Sequence, residues 1–290
     1  MKSEAIFVEM LNMYQPTRAR RLLSHMITSI PLPSFFRCNI CGRTTATLLR
    51  WEIYRDFPAC RHCGSTSRVR QIVDTLSREF FNRSIPLPHF PTRKDIVGCG
   101  LSDNTVYADA LANHFEYSNT FYHQSPFLDI TAVPDEWVGK FDFVIASDVF
   151  EHITFPVDRA FSGLRALLKP TGFAVFSVPY LPISETDERY PELHDFHIDH
   201  DEKGPVLINT TRDGRRQEFR NLVFHGGDGQ VLEMRLFSEQ DLPVRFAKAG
   251  FTATHLPKYM PRFGILDFAA HSHLFILRPD NQGQPELPLR

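Results

Sequence analysis

The chain has 290 residues, with 32 Lys+Arg against 34 Asp+Glu and 42% hydrophobic residues. That is the composition of an ordinary soluble chain able to bury a sizeable core, as one large domain or two modest ones. No apolar run reaches the length of a membrane span, and residues 1–36 lack a signal-peptide core. Membrane-spanning and secreted classes are thereby set aside, and a cytoplasmic protein is the expectation.

Residues 1–34 read as a weakly patterned N-terminal extension. Within it, 17–26 has the composition of a short basic helix, with Arg18, Arg20 and Arg21 on its polar side and Pro31 and Pro33 beyond its end. Charge is uneven along the chain. Residues 1–85 carry 13 Lys+Arg against 6 Asp+Glu, a net of +7, and the remainder 19 against 28, a net of −9. A basic front of this kind either meets phosphate groups, in nucleic acid or in a substrate, or is a solvated face.

Cys38-Asn39-Ile40-Cys41 and Cys60-Arg61-His62-Cys63 form two Cys-x-x-Cys pairs separated by 18 residues. This is zinc-ribbon spacing, in which four thiolates hold one tetrahedral Zn2+; a full thiolate set leaves no open position, so such a metal is structural. Gly42 and Gly64 follow the pairs directly and let backbone N–H groups turn towards sulfur. Between the pairs, Leu48, Trp51, Ile53 and Tyr54 can form a short hairpin. A segment this small gains folding energy from the metal; the alternative is four reduced thiols without a ligand. Ser65 and Ser67 then offer caps to a helix with Val69, Ile72, Val73, Leu76 and Phe80 at helical spacing and Arg68, Arg70 and Arg78 on its other side. The zinc-ribbon-like module and this linking helix are assigned to 35–85, with Ile85-Pro86-Leu87-Pro88 as the linker.

The stretch 95–153 reads as one nucleotide-cofactor half of an open α/β sheet. Ile96 and Val97 run into Gly98, Cys99 and Gly100. Ser102, Asp103 and Asn104 then offer capping side chains to a helix reaching Phe115, with Val106, Ala110 and Leu111 on one face. A strand, a glycine turn and a helix N-terminus in succession bring backbone N–H groups close to a cofactor. A second apolar run, 127–130, includes Asp129 and Ile130. A third, 141–153, is a buried strand that ends in a polar cluster holding Ser147, Asp148, Glu151 and His152.

In VGCGLSD, LDIT, FDFVIASDVFEHI and LRALLKPTGFAVFSVP, in that order across about 160 residues, the chain resembles the class I S-adenosylmethionine-dependent methyltransferases. The resemblance implies an α/β fold, a Rossmann-like sheet with helices on both faces, occupying 86–290 behind the zinc module. It implies S-adenosylmethionine as cofactor, with Gly98, Cys99, Gly100, Ser102 and Asp103 at the amino-acid end, Asp129 and Ile130 on the adenine side, and Ser147 and Asp148 along the wall beside the methyl donor. The sequence departs from the family pattern at three places. Ile96 stands where an acid is usual, Ser102 where a third glycine is usual, and Phe121-Tyr122-His123-Gln124 offers no ribose-binding acid.

Beyond this stretch, 158–168 is helix-patterned with Phe161, Leu164 and Leu168 inward, and 173–178 is a buried strand. Ser238-Glu239-Gln240-Asp241 starts a helix ending near Gly250. Residues 263–268 and 274–277 read as two strands, which the resemblance makes an antiparallel hairpin at the sheet edge. Residues 180–235 interrupt the domain. They are too polar for a core element and too long for a simple loop, so they read as an insertion covering substrate. Their centre, 191–201, is dense in titratable groups including His194 and His197, and 221–231 has hairpin character with Gly226, Gly227 and Gly229 at the turn.

Methyl transfer from a sulfonium is an in-line displacement, and holding the reactants aligned can supply roughly 7–11 kcal/mol. A hydroxyl acceptor also needs a base, for which His194, His197, Glu151 and His152 are the candidates. The favoured reading is a methyltransferase acting on oxygen or nitrogen of a small molecule such as a sugar or natural product. The alternatives are a zinc-bearing RNA methyltransferase, against which the ribbon shows no interleaving of aromatic and basic residues, and a non-catalytic binding protein with a degenerate cofactor site. The methyl acceptor and the oligomeric state are not legible in the sequence.

Overall fold

The computed structural model describes residues 32–49, 59–225, 231–257, 259–266 and 273–280. The basic helix expected at 17–26 and the residues Trp51, Ile53 and Tyr54 lie outside them. Strands β1 (Leu32–Arg37) and β2 (Thr44–Leu49) pair antiparallel across the first cysteine knuckle. The Cys38–Cys41 knuckle is itself the turn of this hairpin. Gly42 N donates to Cys38 O at 2.8 Å and Cys38 N to Arg43 O at 2.9 Å. The second knuckle repeats these bonds, Gly64 N to Cys60 O at 2.8 Å and Cys60 N to Ser65 O at 2.9 Å. Both glycines sit at φ +74°, a left-handed conformation that a residue without Cβ enters freely.

Helix α1 (Ser67–Phe81) follows directly. Its N-cap is Thr66, whose side chain accepts from Val69 N; Ser65 does not cap but lies with its Oγ 3.1 Å from Cys38 Sγ. Val69, Ile72, Val73 and Leu76 are buried at the expected spacing, and Arg70 is buried with them. The helix is thus a layer of the fold and not merely a tie to it. With α2 (Thr105–His114) it covers one face of the central sheet, packing on Ile96, Phe143, Ile145, Phe173 and Val175.

The sheet is laid down by β3 (Arg93–Leu101), β4 (Phe115–Thr120), β5 (Phe141–Ser147), helix α3 (Asp158–Leu167) and β6 (Leu168–Ser177). The insertion then runs through β7 (Tyr180–Leu181), β8 (Asp187–Glu188), β9 (Asp195–Asp201), β10 (Gly204–Thr210), β11 (Arg216–Phe219), β12 (Phe224–His225) and β13 (Val231–Leu232). It closes at β14 (Arg235–Ser238), which pairs parallel with β7. Helix α4 (Asp241–Lys248), β15 (Phe251–His255), β16 (Tyr259–Met260), β17 (Ile265–Leu266) and β18 (Phe275–Pro279) complete the described chain.

Six strands stand in the order β15-β18-β6-β5-β3-β4. Strands β6, β5, β3 and β4 are mutually parallel, and β18 and β15 run antiparallel at the other edge. Strand β5 shows why both faces must be covered. Phe143 and Ile145 enter the α1–α2 layer, while Val144 and Ala146 enter a second layer built on α3 and α4, the alternation of side chains along a strand buried on both sides. The α/β sandwich of a class I methyltransferase is the fold.

The apolar run at 127–130 contributes one parallel bridge, Phe121 to Phe127, and Asp129 Oδ1 then accepts from both Thr131 N and Thr131 Oγ1. Two expectations are corrected. The edge hairpin pairs β18 with β15 and not with 263–268. Residues 263–266 instead dock the cysteine module, with Phe263 buried and Gly264 packed so tightly on the Phe36 ring that a Cβ there would strike it. The insertion also has a core of its own. Tyr190, Leu207, Leu232 and Met234 cluster beneath a three-stranded antiparallel sheet, β11-β10-β9. Among the described residues no helix is long and apolar enough to cross a membrane.

Candidate active site

The chain passes from β3 through α2 to β4 on one side and places β5 on the other, so the strand order reverses at β3. Ligand crevices open at the carboxyl ends of strands flanking such a reversal. A cleft of about 240 Å3 opens there, walled by Ser102, Asp103, Asn104 and Tyr107 after β3, Ser147 and Asp148 at the end of β5, and Arg68 and Val69 of α1. Ser102 and Asp148 are held at φ +57° and +58°. An L-residue in that region costs roughly 1–2 kcal/mol, which gives the physical reason for the family's glycine at the Ser102 position.

Asp103 is 6% exposed and accepts a hydrogen bond from the Tyr117 hydroxyl. Its backbone is clamped by Asn119, whose Oδ1 accepts from Asp103 N and whose Nδ2 donates to Asp103 O, both at 2.8 Å. Burial pushes the carboxyl from an ordinary 3.8 up to about 7, against hydrogen bonds from Tyr117 and Tyr107 and the charge of Arg68. Across the cleft, Arg68 donates to Ser147 Oγ at 2.7 Å and stands 3.3 Å from Asp148 Oδ2. Ser177 Oγ donates to Asp148 Oδ1 at 3.1 Å. The cleft thus presents one guanidinium between carboxylates.

The glycines take different parts in this wall. A Cβ on Gly98 would strike the Phe143 ring, and one on Gly100 would strike the Tyr117 hydroxyl and the Asp103 carboxylate. Gly98 therefore admits a packed ring, and Gly100 admits the groups that wall the cleft. Cys99 is fully buried and its thiol is pushed up to about 12 by burial, so it packs and does not react. Asp129 is half-buried with Oδ1 taken by Thr131, and Ile130 is buried with its carbonyl against Gly163; neither is among the cleft-wall residues.

A model of the methyltransferase domain family matches residues 90–256, more than half of the chain. The chain belongs to that family. This methyltransferase takes S-adenosylmethionine as its methyl donor. Among curated proteins none matches the sequence. Solved structures similar to it include 1,6-didemethyltoxoflavin-N1-methyltransferase of Burkholderia thailandensis, with bound 1,6-didemethyltoxoflavin and S-adenosylhomocysteine, at 14% identity over 72% of this chain and 76% of that one, TM-score 0.38. A methyltransferase of Clostridium acetobutylicum has 12% identity over 63% and 83%, TM-score 0.39. The sugar N-methyltransferase KedS8 of Streptoalloteichus has 15% identity over 72% and 86%, TM-score 0.39.

In the methyltransferase's cysteine module the four Sγ atoms of Cys38, Cys41, Cys60 and Cys63 lie within 4.8 Å of one another. Cys38 to Cys63 is 3.7 Å and Cys41 to Cys60 3.8 Å. A tetrahedron with metal–sulfur bonds of about 2.3 Å has edges of about 3.8 Å, so the residues present fit one Zn2+. Beside them Arg70 donates to Ser65 O and, at 2.7 Å, to Gly264 O, with its guanidinium 4.6 Å from the Phe36 ring centroid.

The base candidates fall into two sets. His194 and His197 are on the insertion; His194 N donates to Asn209 Oδ1 at 2.9 Å, and His197, which is exposed, pairs with Ile208 on β10. Glu151 and His152 lie just past Asp148, where the insertion meets the sheet. Glu151 is 1% exposed, and its backbone carbonyl accepts from Met234 N at 2.8 Å. Burial holds the His152 imidazole below its ordinary range. His225, which no sequence motif singled out, stands with them, its Nδ1 3.2 Å from His152 Nε2. Sequence reasoning also missed Arg68 as a cleft residue, since an arginine on the polar side of a helix carries no signal of the strand it will reach.

Proposed function

We propose that this methyltransferase acts on an oxygen or nitrogen of a small-molecule acceptor, with a four-cysteine zinc site as a structural part of its cofactor-binding half. The observation that carries the cofactor part is the charge pattern of the cleft. The methionine end of S-adenosylmethionine is a zwitterion. Arg68 suits its carboxylate, and Asp148, with Asp103 behind it, suits its ammonium. Ser102 and Asn104 at the start of α2 offer hydrogen-bonding groups to the same end. Gly98, Gly100, Asp129 and Ile130 keep the parts the resemblance implies.

The small-molecule reading is supported by what becomes of the basic front. Arg70 is buried, Arg68 faces Asp148, and Arg78 is 2.8 Å from Asp74. Arg70 serves the interior, Arg68 the cleft and Arg78 a surface ion pair, so each of these cations of α1 has a partner within the protein. The module 35–85 is accordingly proposed as a support for the cofactor cleft, ahead of the methyltransferase domain 86–290 and its insertion 180–235. His194 and His197 are proposed as groups brought to a hydroxyl acceptor when the β9–β11 sheet closes.

Calorimetry with S-adenosylmethionine and S-adenosylhomocysteine, followed by methyl-transfer assays on hydroxyl- and amino-bearing small molecules and on RNA, tests the reading. The expected result is binding of both cofactor forms and transfer to a small molecule. No binding of either form would favour a non-catalytic protein. Transfer to RNA with affinity falling steeply in salt would replace the small-molecule reading.

A further inference from the structure

Where the insertion meets the carboxyl end of β5, three side chains from two distant segments converge. His152 Nε2 is 3.2 Å from His225 Nδ1, and Glu151 Oε1 is 3.7 Å from the former and 3.9 Å from the latter. The tautomers follow from the outer bonds. His152 Nδ1 is 2.9 Å from Leu232 O, a carbonyl that can only accept, so Nδ1 carries the hydrogen. His225 Nε2 is 3.0 Å from Glu233 Oε2, a carboxylate itself ion-paired with Arg189, so Nε2 carries the hydrogen. The two inner nitrogens are then both lone pairs, facing each other beside a buried carboxylate. Three electron-pair donors thus meet at one point.

We propose that Glu151, His152 and His225 bind a divalent transition-metal cation, at a site separate from the four cysteines. The circle through the three ligand atoms, from their separations of 3.2, 3.7 and 3.9 Å, has a radius of about 2.1 Å, the ordinary zinc–nitrogen and zinc–oxygen distance. One ion at its centre lies at bonding distance from all three atoms. The surroundings are those of a metal site as well. Imidazole ligands donate their second N–H to a carbonyl or carboxylate, which orients the ring and raises its basicity; here Leu232 O and Glu233 are those acceptors. Two imidazoles and one carboxylate favour Zn2+, Co2+, Fe2+ or Mn2+ over Mg2+ and Ca2+. Three ligands leave further positions open, and Glu151 is three residues along the chain from Asp148 of the cleft wall. An acceptor hydroxyl bound there would be acidified; that consequence rests on the methyl-transfer reading, whereas the metal site does not.

Cobalt titration of metal-stripped, full-length protein tests the site. Thiolate–cobalt charge-transfer absorption reports the cysteine module alone, so the two sites are read separately. The expected result is a second equivalent of Co2+ that adds only weak d–d absorption, is lost in His225→Gln, and is bound about 10–100-fold more weakly in Glu233→Gln. Glu233→Gln leaves all three ligands in place and carries the test should His225→Gln fail to fold. Saturation without any non-thiolate equivalent in the wild type, or a non-thiolate equivalent unchanged in both variants, overturns the proposal and leaves a shared proton between the imidazoles. Absence of the thiolate band, with the other equivalent intact, would remove the cysteine-zinc reading alone.

Discussion

Ser102 and Asp103 are adjacent, yet different physics sets what each contributes. Ser102 is held at φ +57°, where glycine rests without strain. Ser102→Gly relieves that strain but frees the unfolded chain, so the net expected gain is about 0.5–1 kcal/mol, or roughly 1–3 °C in Tm. A lowered Tm in calorimetry would show that the hydroxyl contributes more than the backbone strain removes. Asp103 carries a raised carboxyl, about 7 against an ordinary 3.8. The folded protein therefore holds this proton more tightly than the unfolded chain does. Its contribution is fully present below about pH 4 and is lost as pH rises towards 7. Asp103→Asn should abolish that loss, so the Tm difference between variant and wild type should move in the variant's favour from pH 4 to pH 7. A difference independent of pH would show that the carboxyl titrates normally.

At the scale of elements, α1 joins the cysteine module to the cofactor cleft. Cys63 and Ser65 precede it, Arg70 locks its first turn to Gly264, and Arg68 leaves the same turn for Asp148. Arg68→Met should raise the dissociation constant of S-adenosylmethionine about 10- to 100-fold, roughly 1.4–2.8 kcal/mol, with little change in metal content. Calorimetry checks this, and an unchanged affinity would mean that the guanidinium only braces the cleft wall. Cys41→Ser should lower bound zinc by up to about one equivalent, the thiolate-held one, and cost more than the roughly 1 kcal/mol of an average substitution. It should also weaken cofactor binding, because the turn that presents Arg68 loses its anchor. A variant without metal but with unaltered melting and cofactor affinity counts against a structural zinc.

For the whole molecule, the question is which part of the insertion serves the reaction. It presents a sheet region carrying His194 and His197, and a buried junction where His225 meets Glu151 and His152. If His194 is the base for a hydroxyl acceptor, His194→Ala should lower kcat about 100- to 10,000-fold while leaving cofactor affinity nearly unchanged. Turnover like that of the wild type would remove it from the chemistry and leave the junction as the place where the acceptor is activated.

What the sequence determined by itself was local. The cysteine spacing, the glycine turn after Val97 and the alternation through Phe143, Val144, Ile145 and Ala146 each lie within a few turns or one strand, where side-chain period and backbone geometry are set by neighbours in the chain. These were enough for the sheet and for the gathering of the four cysteines. Expectations failed where a local pattern was assigned a distant partner, as when 263–268 was paired with β18 although Phe263 and Gly264 bury the Phe36 ring. Only the tertiary structure decided that Arg68 reaches Asp148 and that Arg70 lies inside, because periodicity places an arginine on a helix face without saying what covers it. The same holds for His225, 73 residues beyond His152. Its meeting with Glu151 depends on how the insertion folds back through β14 onto the end of β5, held by Arg235 to the carbonyl of Phe150 at 2.6 Å. No spacing rule spans such a return, since its length is set by the insertion's own core of Tyr190, Leu207, Leu232 and Met234.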